Sequence, residues 1–115
     1  MVAVRDTATG RELATNAAMA TNPWTRFRGL MLRGALPPGG GLVIRPCGSI
    51  HMMFMRFSID AVFFDREHRV TKVAGGVRPW VGFALGGKEA WGVVELPRGA
   101  AEGTEPGHVL EFVGT

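Results

Sequence analysis

Cys47-Gly48-Ser49-Ile50-His51 sets a thiol four residues from an imidazole. If His51 came within about 3 Å of the sulfur, it would take the thiol proton and leave a thiolate nucleophile. Asp60 could then orient the ring, and the N–H groups around Gly48 could face an oxyanion. The plainer alternative makes Cys47 a small apolar residue in a turn and His51 the end of a strand. Catalytic Cys and His residues usually come from distant parts of a chain and meet only in the fold. Two carboxylates raise a second possibility. Asp60 stands between Ile59 and Ala61, and Glu95 between Val94 and Leu96, both inside apolar strand-like runs. A carboxylate in such a place is costly unless an arginine or several N–H groups satisfy it. Each is therefore either a structural acceptor or the lining of a pocket. Were Asp60 and Glu95 to share one cavity, the pair could do acid/base work.

The basic residues follow a pattern of their own. Of 13 basic residues, all but Lys72 and Lys88 are arginine, against 10 acidic ones, for a formal net charge of +3. Residues 13–59 contain no Asp or Glu, yet Arg26, Arg28, Arg33, Arg45 and Arg56 lie there. Such a stretch predicts an electropositive face or pocket for a small polar or anionic ligand, since guanidinium forks match carboxylate and phosphate. The competing reading pairs these arginines with Asp60, Asp65, Glu89 or Glu95. Nucleic acid is disfavoured as a partner: the arginines are spread out, and neither an RNP-like strand nor a zinc-finger spacing is present. Phe27, Phe54, Phe57 and Trp24 are explained more cheaply by burial than by base stacking.

Composition narrows the class. A chain of 115 residues with 46% hydrophobic content forms one globular domain able to bury a core unaided. A lone cysteine excludes an intrachain disulfide framework and a zinc site of paired cysteines, and His51, His68 and His108 are too far apart for a local metal motif. Met31, Met52, Met53 and Met55 suit adaptable core packing better than copper ligation. The glycines match neither a phosphate loop nor a dinucleotide fingerprint, so no cofactor is expected. No apolar run reaches bilayer-spanning length, so no membrane is expected. The first ten residues carry Arg5 and Asp6 rather than a signal-peptide core, which makes the cytoplasm the default compartment.

The elements that must position these residues are mostly short strands. Residues 1–4 and 12–19 read as strands around a polar turn. Asn22-Pro23 is a good helix start, and Trp24, Phe27, Leu30 and Met31 form an apolar stripe ending near Gly34, which predicts a helix over 22–34. Further strands are expected at 42–44, 50–57, 59–64, 70–73, 90–96 and 108–113. The turn at 65–68 makes 59–73 a hairpin, and 99–107 is a short turn or helical piece. The fold class expected is α+β, mostly antiparallel β, a small curled or barrel-like sheet with one or two short helices.

Three blocks carry a family resemblance. Arg26-Phe27-Arg28-Gly29-Leu30-Met31-Leu32-Arg33 resembles the R-x-x-G-L-M-x-R signature of the prokaryotic domain of unknown function 192 family. Ile50-His51, Met55-Arg56-Phe57 and Ile59-Asp60-Ala61-Val62-Phe63-Phe64-Asp65 resemble its I-H-T-x-x-M-R-F-x-I-D-V-V-F-x-D segment. Val94-Glu95-Leu96-Pro97-Arg98-Gly99-Ala100 resembles its E-L-P-x-G-x-A block. The blocks are co-linear and span residues 21–110 of a single domain covering 1–115. The resemblance implies a compact, mostly β fold in a family uncharacterised as an enzyme, with motif residues at Arg26, Gly29, Leu30, Met31, Arg33, His51, Met55, Asp60 and Glu95. Two positions depart from the pattern: Met52 stands where the family often has Thr, and Gly107-His108 where it tends to have Gly-Asp. Many members carry export signals and none is read here, so the compartment stays open.

Three functions are consistent with this reading. The first is a binding module whose ligand pocket is lined by Arg33, His51, Arg56, Asp60 and Glu95. The second is a small hydrolase or transferase using Cys47 or a His51–Asp60 dyad. The third is an interaction domain with Trp80 and Phe83 as a contact patch. Oligomeric state is not legible.

Overall fold

The computed structural model describes residues 1–20, 36–52 and 56–114, with the His51 side chain outside that description. Among the described residues nine strands form in chain order: β1 (Val2–Asp6), β2 (Arg11–Ala20), β3 (Gly40–Ile44), β4 (Ser49–His51), β5 (Ile59–Phe64), β6 (Val70–Val77), β7 (Phe83–Leu85), β8 (Gly92–Pro97) and β9 (Leu110–Gly114). Seven join one sheet in the order β6-β5-β8-β3-β2-β1-β9, and β4 and β7 make a separate two-stranded ribbon. Every pairing is antiparallel except β2 with β3, which is parallel.

The sheet curls until its outer strands approach. Arg69 bridges Val109, and the Val70 N–H donates to the His108 carbonyl (2.7 Å) while the Leu110 N–H donates to the His68 carbonyl (2.8 Å). The result is a half-barrel closed at one end, with partners supplied for part of each outer strand's edge.

Strand periodicity sorts the core into two layers. Val43, Val62, Phe64, Val94 and Leu96 turn inward to the hollow of the curl. Leu42, Ile44, Ala61, Phe63 and Val93, their alternates, pack on the outer face beneath Ile50, Met52 and Ala84 of the ribbon region. Because both faces of β5 are covered, all six of its residues are buried, and a continuous apolar run rather than an alternating one encodes it. Gly92 lets β8 approach β5: a Cβ there would overlap the Phe64 ring.

The mostly antiparallel, curled sheet is as expected, and the described residues contain strands and turns but no helix. The helix expected over 22–34 lies outside the described residues; of the strand expected over 50–57, residues 53–55 lie outside them too, and Met52, Arg56 and Phe57 are not in a strand, since β4 ends at His51. The piece at 99–107 is a chain of turns. Gly99, Gly103 and Gly107, four apart, all adopt left-handed φ (+89°, +89° and +95°) and stop each turn before it becomes helical. The β7 strand was not expected and lies between the strands expected at 70–73 and 90–96, in a stretch that holds Gly75, Gly76, Gly82, Gly86 and Gly87.

Candidate functional site

Asp60 on β5 is 3% exposed and points into the hollow of the curl. Its Oδ1 accepts the Gly76 N–H (2.8 Å), and its Oδ2 accepts the N–H groups of Gly99 (2.9 Å) and Ala101 (3.0 Å). Three backbone donors meet the cost of burying the charge and tie β5 to the end of β6 and to the turn after β8. Two of the sequence blocks are thereby joined: Gly99, at a positive φ of 89°, donates its N–H to the Asp60 carboxylate. An open cleft of about 460 Å³ adjoins this clasp, lined by Asp60, Gly75, Gly76, Arg98, Gly99 and Thr104 among others.

Glu95 lies on the other face. It pairs with Ala61 across β5 and with Leu42 across β3, both outer-face residues, whereas Asp60 pairs with Leu96 of the inner layer. A sheet separates the two carboxylates, so they cannot work as one acid/base pair. Glu95 is 6% exposed, and no hydrogen bond or ion pair joins its carboxylate to another described residue. Burial among apolar neighbours pushes its carboxyl up from 4.5 to about 7.

A third acid, Asp6, escaped the sequence reading. It is fully buried at the end of β1, where its Oδ1 accepts the Ala8 N–H (3.0 Å) and its Oδ2 the Thr104 hydroxyl (2.9 Å). His108 Nδ1 stands 2.9 Å from the same oxygen. Nδ1 donates to the ionised carboxylate in the tautomer that protonates it, and in the other tautomer it accepts the Glu105 N–H, 3.3 Å away. Burial alone would raise the Asp6 carboxyl, but the hydrogen bonds from His108, Thr104 and Ala8, with the charge of His108, bring it below its usual value. Thr104 bonds to the carboxylate and not to the imidazole, so this trio is a clamp at the closed end of the curl, not a nucleophile relay. The Gly107-His108 departure from the family pattern thus supplies a partner for Asp6. Residues 98 and 102 apart in sequence form the clamp, and no local signal announces it.

The remaining candidates are dispersed. Cys47 is half-buried against the outer core layer, its thiol donating to the Ser49 carbonyl at 3.0 Å. His51 lies in β4 opposite Phe83. Arg33, Arg26, Met53 and Met55 fall outside the described residues, while Met52 is buried in the outer layer. Arg56 is exposed, and Arg45 lies over the Trp91 ring, 5.4 Å from its centroid. Among the described residues neither arginine forms an ion pair with a carboxylate. The one Arg–carboxylate pair there is the exposed Arg5–Glu111 at 3.8 Å.

Comparison with known proteins bears on the whole chain. The sequence model of the domain of unknown function 192 family, described as an uncharacterized ACR, matches residues 4–112. The chain is 33% identical over 112 residues to the UPF0127 protein of Pyrococcus furiosus, covering 90% of this chain and 91% of that one. Two solved structures share the fold, each with a TM-score of 0.82 over 96% of this chain. One is a protein of unknown function from Novosphingobium aromaticivorans, 24% identical, with 82% of its chain covered. The other, 23% identical with 91% covered, is a Sinorhizobium meliloti protein given the provisional description of a transcription regulator. At those identities the likeness is one of fold alone.

Proposed function

The chain belongs to the domain of unknown function 192 family, and from that premise we propose that it binds a small polar, anionic ligand on the outer face of the sheet, with the Glu95 carboxyl as a buried contact. One observation carries the reading. Asp6 and Asp60 are spent on holding the fold, while Glu95 is buried on an apolar face without a partner among the described residues. A buried acid held near neutrality donates a hydrogen bond when protonated, as an anionic ligand requires. The positive charge comes from the acid-free stretch that holds Arg33 and Arg56; Asp60 takes part only as backbone support.

The test is a thermal-shift series with inorganic phosphate, acetate and small dicarboxylates at pH 6 and pH 8. A ligand at about 100 times its Kd adds about 2.7 kcal/mol of stability. Binding is expected to be tighter at pH 6, kept and made pH-independent by Glu95→Gln, and lost in Glu95→Ala. If none of these anions stabilises the protein at either pH, or if Glu95→Ala binds like the wild type, the reading is wrong.

A further inference from the structure

The described surface has one concentrated apolar feature, at the ribbon. Trp80 is 53% exposed, Val81 74%, Phe83 70% and Leu85 56%. On β7 the alternation is clean: Ala84 faces the outer core layer at 7% exposure, so Phe83 and Leu85 face away from it. Four large apolar side chains within six residues form a contiguous patch of the kind that marks an interaction surface.

We propose that this ribbon and the turn before it dock on an anionic lipid surface. The charge distribution selects that partner. Residues 69–88 contain no Asp or Glu but carry Arg69, Lys72, Arg78 and Lys88, and β4 comes from the other acid-free stretch, 13–59. Arg78, exposed and held by no ion pair among the described residues, precedes the apolar run, whereas Lys88 beyond it shares a cleft with Asp65, Glu67 and Glu89. An apolar tip with Arg78 at its base and exposed Lys72 on the neighbouring β6 matches an interface of acyl chains and anionic headgroups. Nucleic acid would use the aromatic rings but has nothing to offer Val81 and Leu85.

The backbone is equally suited to a dry surface. Trp80 N–H donates to the Met52 carbonyl (2.8 Å), Val81 N–H to Pro79 (2.7 Å), Gly82 N–H to Arg78 (3.0 Å) and Met52 N–H to Gly82 (2.8 Å). The tip can therefore leave water without stranding these amides. No helix among the described residues is long and apolar enough to cross a membrane, and the sequence expectation of no membrane rested on spanning length alone. Lying on a bilayer has no such length requirement.

Co-sedimentation with vesicles tests the proposal, comparing phosphatidylcholine alone with equal parts phosphatidylcholine and phosphatidylglycerol. The wild type is expected to pellet with the anionic vesicles at low salt and to be released as salt rises. Phe83→Ser with Leu85→Ser abolishes pelleting, and Arg78→Glu weakens it at least about fivefold. These side chains point outward, so circular dichroism of the variants stays that of the wild type. Three results would each overturn the idea: wild type left in the supernatant with anionic vesicles at low salt, equal pelleting by the double variant, or a solution dimer that the double variant splits.

Discussion

Glu95→Gln separates a buried, unpaired acid from a buried ion pair. In the folded protein the Glu95 carboxyl keeps its proton up to about pH 7, whereas in the unfolded chain it ionises near 4.5. The folded state thus binds the extra proton between those values, and stability falls as pH rises through that window. At about 1.4 kcal/mol per pH unit, the loss is roughly 3 kcal/mol by pH 8, a large share of a small domain's stability. Glutamine keeps the shape and cannot ionise. Urea denaturation of wild type and variant between pH 5 and pH 8.5, read by tryptophan fluorescence, gives a difference curve in which the other acids cancel. The variant is expected to match the wild type within about 1 kcal/mol at pH 5 and to exceed it by roughly 3 kcal/mol at pH 8. A flat difference, or a variant weaker than the wild type at pH 8, would refute the reasoning. Either result would mean that the carboxylate is ionised and paired inside the fold, and the proposed ligand contact would go with it.

Asp60→Ala strands the buried Ala101 N–H and the half-buried N–H groups of Gly76 and Gly99 and should cost about 2–4 kcal/mol, measured as a lower urea midpoint at unchanged m-value. Asp6 is held below its ordinary value, so its contribution is complete above about pH 4 and lost as pH falls further. Asp6→Asn should therefore flatten the acid limb of the stability profile, and an unchanged acid limb would count against the clamp. Gly92→Ala drives a methyl into the Phe64 ring and should lower stability by about 1–3 kcal/mol, seen as a melting temperature several degrees lower.

How much of this was legible depends on the range of the interactions. The β5 strand and its hairpin with β6 are written locally, as five apolar residues around a single Asp, a polar turn and a second strand-like run. Asp60 was legible as a carboxylate needing several donors. Which donors could not be read, because they lie 16, 39 and 41 residues downstream. The opposite facing of Asp60 and Glu95 follows from one pairing register, Asp60 with Leu96, that alternation within each strand leaves undetermined. The parallel β2–β3 pair carries no period of its own, and three-residue β7 is too short to show one. In 99–107 a helical reading competed with the glycines at every fourth position, and the glycines prevailed.

The pairing of β1 with β9 has a consequence for the order in which the protein assembles. Of the described strands β1 leaves the ribosome first, and β9, the neighbour for its outer edge, leaves last. A nascent chain can close the hairpins β1–β2 and β5–β6 early, but the clamp around Asp6 waits for Thr104 and His108. Until then the first strand offers an open hydrogen-bonding edge to other unfinished chains. Polysomes are therefore where this sequence is most exposed to aggregation, and a holdase that shields β1 would act before the last strand is made.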